Sequence, residues 1–304
     1  MKHPLRTLAV GLALAGTAVT GVGLTTASAS GSTTSTSTAP TTSTLVGIRA
    51  GHHPGYDRFV LEFRGPVPAQ RSVAWVSRVT QDGSGATVRL AGHAFLAVRL
   101  SPAVAHDSTG ARTVPGRQTF ALPNLTQYAL AGDFEGVVGV GLGLQRKETV
   151  HVSTLSSPSR LVIDVATPYD WVTVGDYFLD ANRYAAGTRP YLVRRSRPAI
   201  PPAVARQALE RLFAGVTAGE RADGLRFVSS HATGFTDFSV SGGVARLRLT
   251  GGCDSNGSTF TVANEIMPTL KQFASIDHVK IYGPAGYTEQ PSGTSDSIPP
   301  CLEP

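Results

Sequence analysis

The chain has 304 residues, of which 16% are charged, 33 are glycine and 20 are proline. At about 150 residues per domain, this length predicts two domains, each long enough to bury its own core. The low charge and the abundant Gly and Pro argue against coiled coils and helical repeats, while the 41% hydrophobic content argues against wholesale disorder. The formal net charge of +6 comes from scattered basic residues without a nucleic-acid-binding motif, so we expect no nucleic-acid partner.

The first 29 residues have the features of a secretory signal peptide. Lys2 and Arg6 precede an apolar run at 8–24, and Ala27-Ser28-Ala29 is a small-x-small cleavage pattern. We expect cleavage after Ala29, no stable membrane span in the mature protein, and a secreted, extracytoplasmic location. The alternative, a retained anchor, needs about 20 apolar residues, and Thr and Gly interrupt this run. Residues 30–44 are almost all Ser, Thr and Gly and predict a flexible linker.

Residues 45–168 predict a first domain made entirely of strands, as a sandwich or a barrel. Apolar residues alternate with period two, as in Phe59, Leu61 and Phe63, which share one strand face. Gly, Pro and Asp separate the apolar segments, and no ten-residue stretch has a capped helical pattern. The predicted strands lie at 45–49, 59–63, 72–76, 86–90, 94–100, 137–142, 149–152 and 161–165.

Two segments of this domain resemble the first and last strand motifs of the AMIN domain. They are GYDRFVLEF at 55–63 and SPSRLVIDV at 157–165. The chain is more similar still to the actinobacterial AMIN-like variant, which also carries blocks such as AGDFEG at 131–136 and GVGLG at 139–143. This resemblance implies a β-sandwich that localises envelope proteins by contacting peptidoglycan or a related wall polymer.

A few side chains of the first domain are candidates for binding such a polymer. Aromatic rings offer a flat face to a sugar, and arginines can bind hydroxyl or carboxylate groups. The candidate ligand-binding residues are Tyr56, Arg58, Trp75, Phe134 and Arg160. Tyr128 is a further aromatic side chain of this kind. Each aromatic residue taken alone is more often a core residue, so the prediction rests mainly on the resemblance.

The sequence predicts no catalytic or metal site in this domain. Cleavage of a glycosidic bond requires two carboxylates at a fixed separation, and a sequence alone does not give the distance between two side chains. The carboxylates available for such a pair are Asp57, Asp133, Glu135 and Asp164. We interpret Asp57 and Asp133 as residues that shape turns. His52-His53 lacks the partners of a zinc motif, and no phosphate-binding helix follows the glycines at 138–143, so we expect neither metal nor cofactor.

Residues 169–304 predict a second domain that mixes helices and strands in the order β-β-α-β-β-α-β. Pro201-Pro202 opens the first predicted helix and Gly215 ends it. A second predicted helix, at about 259–273, contains Pro268, which should kink or split it. The predicted strands lie at 172–179, 191–195, 235–240, 244–250 and 279–282.

This second domain resembles the GerMN domain of sporulation proteins, spore germination proteins and envelope lipoproteins. The blocks that carry the resemblance are VARQALERLFAG at 204–215, GVARLRL at 243–249 and PTLKQF at 268–273. Val216 departs from the family, whose members commonly have proline there. No cysteine lies near the predicted cleavage site, which removes the lipid attachment point of the envelope relatives. The resemblance implies an α+β fold.

Cys253 and Cys301 are the two cysteines of the chain, and both lie in the second domain. In an exported protein, a lone pair of cysteines predicts a disulfide. Closure of a loop of about 49 residues would stabilise the fold by roughly 4 kcal/mol. The alternative, a Cys/His nucleophile, is disfavoured because no cationic neighbour or helix start lies beside Cys253 to lower its pKa.

Three classes of function compete for this sequence. We favour a non-catalytic, exported envelope protein that binds peptidoglycan or another wall component. The alternative is an assembly protein of the envelope or spore, whose second domain contacts other envelope proteins. A wall hydrolase is disfavoured because neither domain has a nucleophile elbow, a zinc motif or a Ser/Lys pair, and no amidase domain is appended. We therefore expect no enzymatic activity.

Overall fold

The period-two pattern of the N-terminal region folds into twelve strands. They are seen in a computed structural model that describes residues 41–304, so the predicted signal peptide and most of the predicted linker lie outside the described residues. The strands are β1 Ser43–His53, β2 Tyr56–Arg64, β3 Gln70–Val76, β4 Val79–Thr80, β5 Thr87–Val88, β6 Ala94–Ser101, β7 Ala103–Val104, β8 Arg117–Thr119, β9 Leu125–Phe134, β10 Val137–Leu144, β11 Val150–Leu155 and β12 Ser159–Ala166.

Ten of these strands form two five-stranded sheets that pack face to face. The first sheet has the order β11-β12-β2-β1-β7, and the second has the order β3-β6-β10-β9-β8. Phe59 on β2 and Leu142 on β10 are both fully buried in the one core that the two sheets share. The predicted β-sandwich is therefore confirmed. Strands β4 and β5 form a separate two-stranded ribbon.

Three details of the first domain differ from the sequence prediction. The predicted strand at 86–90 is reduced to the two residues of β5, because only these pair with β4. Strand β9 was not predicted, and its residues 125–129 are all buried, so the polar-apolar alternation that marks a strand is missing. Strand β1 begins at Ser43, within the predicted linker, since the Ser43 amide donates to the Pro102 carbonyl at 3.2 Å.

The second domain consists of two three-stranded sheets and the helices that pack on them. The sheets have the orders β14-β13-β15 and β16-β17-β18, and the longer helices α2 and α4 both contact β13. The predicted α+β class is confirmed. The elements are β13 Val172–Asp180, α1 Ala181–Ala185, β14 Leu192–Ala199, α2 Val204–Ala214, α3 Ala218–Ala222, β15 Leu225–Arg226, β16 Ala232–Ser241, β17 Val244–Gly251, α4 Val262–Lys271 and β18 His278–Tyr282.

Local sequence explains where the helices of the second domain start and stop. Helix α2 ends at Gly215, whose φ of +83° suits glycine, as predicted. The predicted split at Pro268 is wrong, because α4 continues through this residue to Lys271. Because proline has no amide N–H, α4 lacks the hydrogen bond that residue 268 would donate to the carbonyl of Asn264. Asn264 is an exposed residue, and its side chain takes part in the N-terminal capping box with Thr261.

Val216 belongs to the core of the second domain. The Val216 side chain is buried among the apolar residues of that core. Thr217, the next residue, forms a capping box with Glu220 at the start of α3. The chain therefore forms a defined turn between α2 and α3 with valine at position 216.

The predicted disulfide between Cys253 and Cys301 is present, with a Cα–Cα distance of 5.6 Å. The amide of Ser255 donates to the carbonyl of Cys301 at 2.8 Å and reinforces the link. The C-terminal tail is therefore held against the loop that follows β17. Within residues 41–304, no helix combines the length and apolar character needed to cross a membrane.

Candidate functional site

Helix α2 joins the two domains through a buried arginine. The Arg211 side chain is 1% exposed, and its Nη2 donates to the carbonyls of Leu122 and Pro123 at 2.8 and 3.1 Å. These two residues belong to the segment that leads into β9 of the first domain. Burial lowers the pKa of Arg211 to about 10, so the guanidinium remains charged at neutral pH. The charge is thus stabilised by main-chain oxygens of the neighbouring domain.

The first domain also caps the C-terminal end of α2. The carbonyl of Ala214 accepts a hydrogen bond from Thr119 Oγ1 at 2.6 Å and from Gln127 Nε2 at 3.3 Å. The last carbonyls of a helix have no partner within the helix, so these side chains satisfy a group that would otherwise be orphaned. The last turn of α2 is therefore held by the first domain, through Arg211 and through the carbonyl of Ala214.

A cleft of about 520 Å³ opens beside this joint, between the two domains. One face of α2, at the i, i+4 and i+7 positions, forms one wall. The loop before β6 and strands β8 and β9 form the opposite wall, and β16 completes the cleft. The polar, charged and aromatic residues that line it are Arg89, His93, Arg117, Gln127, Arg206, Glu210, Phe213, Thr233 and Phe235.

The cleft is cationic, and the charge of Arg117 has no acidic partner. Three arginines against one glutamate leave a formal net charge of +2 on the lining residues with histidine neutral. The Nη1 of Arg117 donates to Gln127 Oε1 at 2.5 Å, and no carboxylate in residues 41–304 lies within 4.0 Å of this guanidinium. Burial lowers the pKa of Arg117, because removal from water disfavours the charged form.

Glu210 is already engaged by its neighbours in the cleft. Its Oε2 lies 2.9 Å from His93 Nε2, and its Oε1 lies 3.7 Å from Arg206 Nη1. The hydrogen bond to Glu210 raises the pKa of His93. Because this carboxylate is shared between two partners, the positive charge that is available to a ligand lies on Arg89 and Arg117.

Aromatic rings lie next to Arg206 in the cleft. The guanidinium carbon of Arg206 lies 5.5 Å from the ring centroid of Phe235, and the Phe213 ring lies 5.7 Å from the same ring. A cavity with a few fixed polar groups and a flat apolar face is the usual form of a small-molecule or sugar site. The arrangement is therefore suited to a ligand that combines an anionic group with a ring.

Three of the predicted candidates, Tyr56, Arg58 and Arg160, lie together on the outward face of the first sheet, outside the cleft. The Nε and Nη2 of Arg58 both donate to Asp164 at 2.8 Å, so this arginine is already paired. The Tyr56 ring stacks on His53 with centroids 5.0 Å apart. Arg160 lies opposite Glu62 in the strand register and donates to a backbone carbonyl. The structure brings these three side chains onto one flat face.

The other aromatic candidates lie elsewhere. Trp75 is half-buried on β3 of the second sheet and packs against the sandwich core. Phe134 lies at the end of β9 and is 70% exposed. Tyr128 is fully buried, and its hydroxyl donates to the Pro115 carbonyl. These rings do not form one surface with Tyr56.

The two carboxylates interpreted as turn residues, Asp57 and Asp133, lie instead within strands β2 and β9 and bind backbone amides of distant segments. Asp57 is buried and accepts hydrogen bonds from the amides of Asn124 and Leu125 at 2.6 and 2.9 Å. Asp133 accepts from the Ala105 amide at 3.0 Å. Over the described range 41–304, no three His, Cys, Asp or Glu side chains converge as a metal site would need.

The cleft residues were not predicted, because five separate chain segments contribute them. His93 and Glu210, for example, meet across 117 positions of sequence. The one signal in the sequence is on α2, where Arg206, Glu210 and Phe213 recur at helical spacing and therefore share one face of the helix. This spacing alone does not say what the face contacts.

Two family models match successive parts of the chain. Residues 43–167 match the family model of the AMIN-like domain. Residues 177–283 match the Germane (GerMN) model, which is described as sporulation and spore germination. No curated protein and no solved structure matches the chain significantly. The cleft is lined by residues from both matched regions.

Proposed function

We propose that this chain, in which an AMIN-like domain is followed by a Germane domain, is a non-catalytic, exported envelope protein that binds peptidoglycan or another wall polymer. Both domain families fit an envelope-related or sporulation-related protein. The observation that carries the proposal is the cationic, aromatic cleft between the two domains. Its composition is that of a surface that recognises acidic sugars, and it requires both domains.

The size and chemistry of the cleft support a wall glycan as the ligand. A volume of about 520 Å³ lies within the range of sites that hold ligands of a few rings. Phe235 and Phe213 can receive the apolar face of a sugar, while Arg89 and Arg117 can bind carboxylate or phosphate oxygens. The exposed outward face of the first sheet is less suitable, because Arg58 is already neutralised by Asp164.

The single carboxylate of the cleft supports binding without cleavage. Glycoside hydrolysis usually needs a pair of carboxyl groups on the two sides of the bond. Glu210 is the one carboxylate among the lining residues, and it is engaged by His93 and Arg206. A ligand bound here would meet no second acid or base of this kind.

Sedimentation with purified cell-wall sacculi tests the proposal. We expect the protein to co-sediment with sacculi and to stay in solution with cellulose particles of equal mass. Protein that remains in the supernatant in both cases would contradict the proposal, and self-association in that sample would favour the assembly alternative. Release of soluble wall fragments during the incubation would contradict the non-catalytic part of the proposal.

A further inference from the structure

A second cavity adjoins the cleft along the boundary between the domains. It has a volume of about 430 Å³ and shares Arg117, Gln127 and Ala214 with the cleft as lining residues. From this junction it extends along β8 and the start of α3, where Arg221 lies. The two cavities together form a groove, which we call the seam groove.

Cations are distributed along the whole seam groove. Arg89 and Arg206 line the cleft, Arg117 lies at the junction, and Arg221 lines the second cavity. Against these four arginines stands Glu210 as the one carboxylate, which leaves a formal net charge of +3. A row of separated cations matches a chain of repeated anions better than it matches one small ion.

Arg117 is the residue of the groove that is best placed to bind an anion. Guanidinium has five N–H donors, and among the described residues this one uses a single donor, to Gln127 Oε1. Arg117 is an exposed residue of β8 without an acidic partner among the described residues, so its charge is accessible to a ligand. An anionic oxygen at the junction would form the charge-assisted hydrogen bonds that are missing.

Gln127 holds the Arg117 side chain in place. Its Oε1 also accepts from the Ala91 amide at 3.2 Å, and its Nε2 donates to the Ala214 carbonyl at 3.3 Å. The amide is therefore fixed by both walls of the groove and fixes the guanidinium in turn. Such support reduces the side-chain ordering that binding would otherwise require.

We propose that the seam groove binds a linear acidic polymer of the wall, with Arg117 holding an anionic oxygen where the two cavities meet. Arg89 and Arg221 contact anionic groups on either side. The inference rests on the proposed function and adds the class of ligand. Carboxylates and phosphates share the required chemistry, and either can be carried by a wall polymer.

Binding to sacculi with matched arginine variants tests this proposal. Arg117 and Arg71 lie on β8 and β3, the two edge strands of the second sheet. Arg117→Gln and Arg71→Gln remove the same charge, and Arg71 donates hydrogen bonds to the backbone carbonyls of Pro68 and Ala69, next to its own strand. We expect Arg117→Gln to weaken binding at least tenfold and Arg71→Gln to change it less than twofold. Equal binding by the two variants would overturn the groove proposal and leave the proposed function standing.

Three further measurements keep the test decisive if one variant fails. Arg89 makes no hydrogen bond to Gln127, so Arg89→Gln leaves the hydrogen bonds of Gln127 in place and should weaken binding severalfold. This variant replaces Arg117→Gln if the Arg117→Gln protein does not fold. Sacculi stripped of phosphodiester-linked polymers by hydrofluoric acid separate the sources. Loss of arginine-dependent binding after stripping assigns phosphate, and its retention assigns carboxylate. Either result supports an acidic polymer, whereas binding that ignores 50 to 500 mM salt would contradict it.

A soluble probe separates failure of this inference from failure of the proposed function. Linear polygalacturonate carries one carboxylate on each sugar, and dextran is a neutral glycan of similar length. If the protein ignores sacculi yet binds polygalacturonate in an Arg117-dependent way, the groove binds a linear polyanion that is not a wall polymer, and the proposed function fails. Equal affinity for dextran and polygalacturonate would overturn the groove proposal.

Discussion

Replacement of Arg211 by methionine should destabilise the protein and loosen the link between its domains. Methionine preserves much of the side-chain volume but removes every donor. The carbonyls of Phe120, Leu122 and Pro123 all receive donors from Arg211, at 3.5, 2.8 and 3.1 Å. Without the guanidinium, these oxygens have lost their partner inside a buried joint.

The magnitude follows from the two shorter contacts. An orphaned buried acceptor costs about 1–3 kcal/mol, so two of them cost about 2–6 kcal/mol. Methionine also removes the cost of burying a charge, which offsets part of this loss. Burial raises the pKa of Asp176, and Arg211 is one of the cations that oppose this by favouring the ionised carboxylate. Removal of Arg211 therefore disfavours the ionised form of Asp176 further. We expect a net loss of about 3 kcal/mol in the free energy of unfolding.

Urea unfolding followed by far-UV circular dichroism measures this loss. Arg221→Met is the matched control, because Arg221 is an exposed arginine of the same domain, and it should change stability by less than about 0.5 kcal/mol. We also expect Arg211→Met to separate the unfolding of the two domains into two transitions. If Arg211→Met unfolds at the same urea concentration as the wild type, the described role of this arginine is wrong.

Three further changes test other parts of the fold. Removal of the disulfide by Cys253→Ala with Cys301→Ala should lower the free energy of unfolding by about 4 kcal/mol in urea, and no effect would contradict the loop-closure argument. His93 has a raised pKa, so its contribution is complete below pH 6.5 and is lost as the pH rises through the folded-state pKa. The His93 side chain is 57% exposed, so His93→Gln should remove only about 0.2–0.5 kcal/mol of pH-dependent stability between pH 6 and 8, as measured by thermal unfolding. Gly92 has a φ of +128° and a side chain there would clash with the Leu144 carbonyl, so Gly92→Ala should cost about 1–3 kcal/mol in the same assay.

The sandwich could be predicted because most of its strands have one buried and one exposed face. On β2, for example, Phe59 and Leu61 point into the core, while Arg58 and Val60, which alternate with them, are less buried. Strand β9 was not predicted because one of its faces packs in the sandwich and the other packs on the second domain through Gln127. Periodicity is lost wherever both faces of a strand are covered.

The cleft could not be predicted because it depends on how the two domains meet. Arg117 and Arg206 belong to different domains, and nothing in either local sequence indicates that they line one cavity. Arg211 was equally unexpected, since arginine is rarely buried and its partners here are backbone carbonyls, which no residue pattern reveals. The sequence prediction instead chose Tyr56 and Arg160 as ligand-binding residues, because their residue types suit sugars, and both lie on the outward face of the first sheet.

Amide hydrogen exchange with and without muramidase-solubilised wall fragments tests the central claim most directly, because it locates the bound polymer on the chain. We predict that the fragments slow exchange in residues 89–93 and 233–235, which line the cleft from the two domains. Slower exchange confined to residues 56–60 and 160–164, on the outward face of the first sheet, would contradict the account.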